Sequence, residues 1–82
     1  MIGTSLGRQE LVSEFRRLGV NVENLDKAES RLSQAPKYGT YTRLLRAGND
    51  ITGRFTGYLQ VQCEDDTVVA EFHKVRYQWK RQ

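Results

Sequence analysis

Ile51-Thr52-Gly53-Arg54-Phe55-Thr56-Gly57-Tyr58-Leu59-Gln60-Val61-Gln62-Cys63 alternates along its whole length. Ile51, Gly53, Phe55, Gly57, Leu59, Val61 and Cys63 share one parity. Thr52, Arg54, Thr56, Tyr58, Gln60 and Gln62 share the other. Successive side chains of a strand point to opposite faces, so the spacing predicts a long half-buried strand with the first set inward. On this register Phe55 and Leu59 are core residues, while Arg54 and Tyr58 are exposed. Gly53 and Gly57, on the inward face, would let the strand bend or a helix approach closely.

Upstream, Gly48-Asn49-Asp50 is a turn signal, and Thr40 to Ala47 is the natural partner strand. Downstream, Glu64-Asp65-Asp66-Thr67 is the next turn. Val68, Ala70 and Phe72 then alternate inward, with Val69, Glu71 and His73 outward. Past Phe72 the parity slips to Val75, Tyr77 and Trp79. A bulge or bend near His73-Lys74, or a separate last strand, accounts for the slip.

The front of the chain has a helical period instead. Leu11, Val12, Phe15 and Leu18 make one apolar stripe over Arg8 to Leu18. Ser5 is a candidate N-cap, Gly19 a C-cap, and Glu10, Glu14, Arg16 and Arg17 follow the helix dipole. A second helix is expected from about Asn24, its candidate N-cap, to Gln34. Leu25, Ala28 and Leu32 give it a thinner stripe, and Pro36 enforces a stop. The expected fold is α+β. Two N-terminal helices, within about residues 8–34, pack on one face of a curved antiparallel three- to four-stranded sheet, within about residues 40–80. The 82 residues allow one domain.

Charged residues are 28% of the chain, and no apolar run is long enough to span a bilayer. Membrane insertion is therefore not expected. Met1 to Gly7 has no basic stretch followed by an apolar core, so no secretory signal is expected, and the location is read as cytoplasmic or otherwise intracellular. The lone Cys63 excludes an internal disulfide and fits a reducing compartment.

Little in the chain points to catalysis or a cofactor. A zinc site needs three or four ligands at suitable spacing, and one cysteine and one histidine do not supply them. Cys63 and His73 fall on opposite faces, which separates a nucleophile from its base. Cys63 reads as a small core residue and His73 as an exposed strand residue. Glu64, Asp65 and Asp66 read as a solvated hairpin tip.

Binding is the expected activity. Net charge is +3, and the end of the chain is basic, from His73 to Gln82 without an acid. Two surfaces suit single-stranded nucleic acid. One is the polar strand face with Arg54, Tyr58, Gln60 and Gln62, which could stack bases and bond their edges. The other is the C-terminal segment, where Lys74, Arg76, Lys80 and Arg81 would meet phosphates and Tyr77 or Trp79 would stack. A plainer reading competes for the second. Val75, Tyr77 and Trp79 also suit the core face of a last strand, with Arg76, Gln78 and Lys80 as its solvated face. A helix-turn-helix is disfavoured, because Glu23, Asp26 and Glu29 offset Lys27 and Arg31 on the second helix. The alternative function is a protein-interaction module, an inhibitor or adaptor, using an exposed sheet face, an edge strand or a helix face. Homodimerisation through an unpaired edge fits either reading.

Overall fold

In the computed structural model, which describes residues 6–32, 40–64 and 66–80, two helices precede four strands. They are α1 (Arg8–Leu18), α2 (Glu23–Leu32), β1 (Thr40–Asn49), β2 (Arg54–Glu64), β3 (Thr67–Phe72) and β4 (Val75–Lys80). The strands form one antiparallel sheet in the order β1-β2-β3-β4. This is the α+β arrangement that the two periodicities predict.

The inward residues of β2 and β3 do what their parity demands. Leu59, Val61 and Cys63 pair with Phe72, Ala70 and Val68, and all six are buried. Leu11, Val12 and Phe15 of α1 and Leu25 and Leu32 of α2 close the same core. The rings of Phe15 and Phe72 meet edge to face at 5.1 Å, a favoured aromatic geometry. Gly19 ends α1 at a φ of 74°, as a helix C-cap.

Several local expectations need correction. Ser5 lies outside the described residues, as do Gln34, Pro36 and Arg81. The residue at the N-cap of α1 is Gly7, which makes no side-chain capping bond. Asn24 sits inside α2, which begins at Glu23. Gly48 and Asn49 belong to β1, so the turn is Asp50 to Gly53. Its geometry comes from Asn49, whose Oδ1 accepts from the N–H groups of Ile51 and Thr52. The parity slip after Phe72 is a complete chain reversal. His73 and Lys74 both have positive φ, 50° and 65°, as a two-residue type I′ hairpin requires.

The largest correction concerns β2 itself. Ala47 pairs with Gly57, but Gly48 pairs with Phe55, so Thr56 is an extra residue. Such a bulge reverses the facing of every side chain beyond it. Phe55 is therefore on the outer face and 43% exposed, and Ile51, at the tip, is 92% exposed. Arg54 turns to the helix side. Gly57 has a φ of 149°, and what approaches it is a side chain rather than a helix: a Cβ there would lie 2.9 Å from His73 Nε2.

Two hydrogen bonds hold the bulge. Thr56 Oγ1 donates to the Ala47 carbonyl at 3.1 Å, and His73 Nε2 lies 2.7 Å from the Thr56 carbonyl. A carbonyl only accepts, so that nitrogen carries the proton. The imidazole also stacks on Phe72, with centroids 4.0 Å apart. His73 is exposed as expected, but it is a structural strut and not a bystander.

Two stability measurements check this register. Leu59→Ala should cost about 2–5 kcal/mol in denaturant unfolding, and Phe55→Ala only about 1 kcal/mol. A larger loss at Phe55 would contradict the bulge. His73→Ala should cost about 1 kcal/mol, through the lost bond to Thr56.

Candidate functional site

The bulge divides the β1–β2 hairpin into two chemically distinct sides. On the outer side, Tyr58 is 56% exposed and meets Phe55 edge to face at 5.2 Å. Arg46 is the cross-strand partner of Tyr58, and its Cζ lies 4.5 Å from the centre of the Phe55 ring. That is cation–π distance. Leu44, also outward by register, is 63% exposed. The outer face continues through Gln60 and Gln62 to Glu71 and Val69 on β3, and then to Arg76 and Gln78 on β4.

On the helix side, α2 and the hairpin enclose a pocket of about 440 Å³. Lys27 and Arg31 enter it from one face of α2, four residues apart. Arg43 and Arg54 enter it from the hairpin, Arg46 stands at its rim with its guanidinium on the outer side, and among the described residues Asp50 is the one carboxylate in the lining. Like charges at that helical spacing cost about 0.2–0.5 kcal/mol, so the cluster is not a product of helix stability. Among the described residues, no carboxylate forms an ion pair with Lys27, Arg31 or Arg54. Asn49 fixes the pocket's end. Its Nδ2 donates to the Gly19 carbonyl at 2.9 Å, and the adjacent Gly48 carbonyl accepts from Asn21 N–H at 3.0 Å. The α1–α2 connection is thereby tied to the hairpin.

The basic C-terminal strand is split between the two faces. Tyr77 is 4% exposed and packed in the core, so its ring has no free face for a base. Trp79 packs against the core, and its Nε1–H donates to Glu29 at 3.2 Å. The same carboxylate receives Arg8 Nε at 2.6 Å, and Asp26 receives Arg8 Nη2 at 2.5 Å. Burial opposes the charge on Arg8, yet the bond to Glu29 and the carboxylates of Glu29 and Asp26 outweigh it. The guanidinium is held above its ordinary pKa. Glu29 thus joins α2 to the start of α1 and to β4. The cations face away from this cluster. Arg76 lies opposite Glu71 and Lys80 opposite Thr67, while Lys74 sits in the tight turn. Along β4, Arg76 and Lys80 stand four residues apart, about 13 Å.

Of the residues singled out from sequence, Tyr58 and Arg76 are accessible on the outer face, whereas Arg54, expected on the same face as Tyr58, is exposed on the helix side because of the bulge. Lys74 and Lys80 are exposed at opposite ends of β4, and the two C-terminal aromatics belong to the helix side. Phe55, Arg46, Lys27, Arg31 and Arg43 were missed. Lys27 and Arg31 share a helix face, which spacing alone reveals, but nothing local indicates that two arginines stand across from them. Among the described residues, no group of three or more His, Cys, Asp or Glu could hold a metal ion. Among the same residues, no helix is long and apolar enough to cross a membrane.

The placement of Tyr77 has a measurable consequence. Burial pushes its hydroxyl above the ordinary value; Glu14 adds to this and Arg17 opposes it. A raised folded-state pKa means that the stabilisation is complete below the unfolded value, about 10, and is lost as pH rises through the folded one. Urea unfolding of wild type and Tyr77→Phe between about pH 8 and 11 should show a steeper alkaline loss for wild type. Parallel curves would place the hydroxyl in solvent. Comparison of the chain with protein-family models, with curated proteins and with solved structures finds no match.

Proposed function

We propose that this domain is a non-enzymatic module that binds single-stranded nucleic acid on the outer face of its sheet. The observation that carries the reading is the group Arg46, Phe55 and Tyr58, two exposed rings with a guanidinium over one of them. Exposed aromatics on a sheet stack bases irrespective of sequence, and nearby cations meet the phosphates. Arg76 lies on the same face, two strands from Tyr58. With strands about 4.8 Å apart, it is within reach of a short oligonucleotide lying across the sheet. The proposed role is regulatory, acting on nucleic acid by binding it and not by altering it.

A second reading has its own observation. Among the described residues, β1 pairs on one side only, Leu44 is exposed on that strand, and Ile51 is exposed at the hairpin tip. An unpaired edge with apolar neighbours suits a protein partner or a second copy of the chain.

Fluorescence anisotropy of labelled decanucleotides at several salt concentrations separates the two. If Arg46 and Arg76 each meet one phosphate, the log–log salt slope is about −1.4, and Arg76→Ala makes it shallower by about 0.7. Tyr58→Ala should cost about 1–3 kcal/mol of affinity and leave the slope unchanged. Binding no tighter than ~100 μM at low salt would reject nucleic acid as the ligand. Concentration-dependent association in analytical ultracentrifugation would then favour the edge-strand reading.

A further inference from the structure

We infer that the pocket between α2 and the β1–β2 hairpin is a binding site for a terminal phosphate group. Four cations, Lys27, Arg31, Arg43 and Arg54, line it against, among the described residues, the single carboxylate of Asp50. Gathering like charges in a concavity raises the local potential and concentrates anions there. Three of the four are arginines, whose planar fork bonds phosphate oxygens in pairs.

The shape and floor narrow the ligand class. A phosphomonoester or diphosphate carries more charge in a smaller volume than a diester, and a concave site surrounded by cations favours that density. The volume of about 440 Å³ is within the range of small-molecule sites and exceeds what a bare phosphate fills. Ala28 and Leu45 supply apolar wall for whatever the phosphate is attached to. Two sources share this chemistry: the phosphorylated end of a strand, and a free nucleotide or pyrophosphate. Arg46 stands at the rim of the pocket with its guanidinium over Phe55 on the outer face, so the site adjoins the stacking surface. The strand-end source rests on the proposed nucleic-acid reading; the phosphate site itself does not.

The test compares wild type with Lys27→Gln/Arg31→Gln, two exposed positions of α2 outside the stacking group, and with Arg31→Gln alone should the double variant unfold. Sodium pyrophosphate should raise the Tm of wild type beyond the effect of sodium chloride at equal ionic strength, and the variants should lose that increment. Decanucleotides with a 5′-phosphate, a 3′-phosphate or neither should differ in wild type. One phosphorylated end should bind about tenfold tighter than the unmodified strand, an advantage absent from the variants. A pyrophosphate response with equal oligonucleotide affinities supports the pocket and assigns it to free phosphates. A pyrophosphate response with no oligonucleotide binding keeps the pocket and rejects the nucleic-acid function. Oligonucleotide binding indifferent to its ends, with no pyrophosphate response, overturns the pocket and leaves the stacking face standing.

Discussion

Thr56 is held from both sides, by its own hydroxyl on the Ala47 carbonyl and by the His73 ring on its carbonyl. The rest of the hairpin follows from that constraint. With Thr56 set aside from the pairing, Phe55 turns out to join Tyr58, and Arg54 turns in toward α2. The aromatic face and the cationic pocket are thus two products of one inserted residue. The strut that fixes it comes from the β3–β4 turn, where two left-handed residues bring the imidazole over Phe72 and Gly57.

What the sequence makes legible is local and periodic. The α1 stripe, its glycine cap and the alternation from Leu59 to Phe72 all report a single element's contact with the core, and each agrees with the structure. The bulge is silent in sequence because Phe55 is apolar at a position whose extrapolated parity is inward. Thr56 gives no sign of being extra, since what retains it is a histidine seventeen residues away. Asn24 resembles a cap, yet the helix already begins at Glu23.

The candidate site divides along the same line. Tyr58 is legible as a polar member of the strand, but Arg54, read as sharing its face, lies on the other side. The pocket is not legible, because Lys27 and Arg31 on α2 and Arg43 and Arg54 on the hairpin come together only through tertiary structure. The basic end of the chain shows the converse. Its mixture of cations and aromatics reads as one surface, but strand alternation sends Tyr77 and Trp79 to the helices and Arg76 and Lys80 away from them. Glu29, which takes both Arg8 and Trp79, secures that division at a point where three elements meet.

The bulge also gives the hairpin an unequal tolerance to changes in length. At the tip, between Asp50 and Gly53, added residues lengthen a loop outside the pairing and leave both faces as they are. Between Ala47 and Gly57 the outcome depends on whether the change is odd or even. Losing one residue there would restore simple alternation, carrying Phe55 toward the helices and Arg54 to the open face, so that apolar and charged surfaces trade places at once. Divergence of this hairpin is therefore expected to proceed by substitution within the strands and by insertion at the tip.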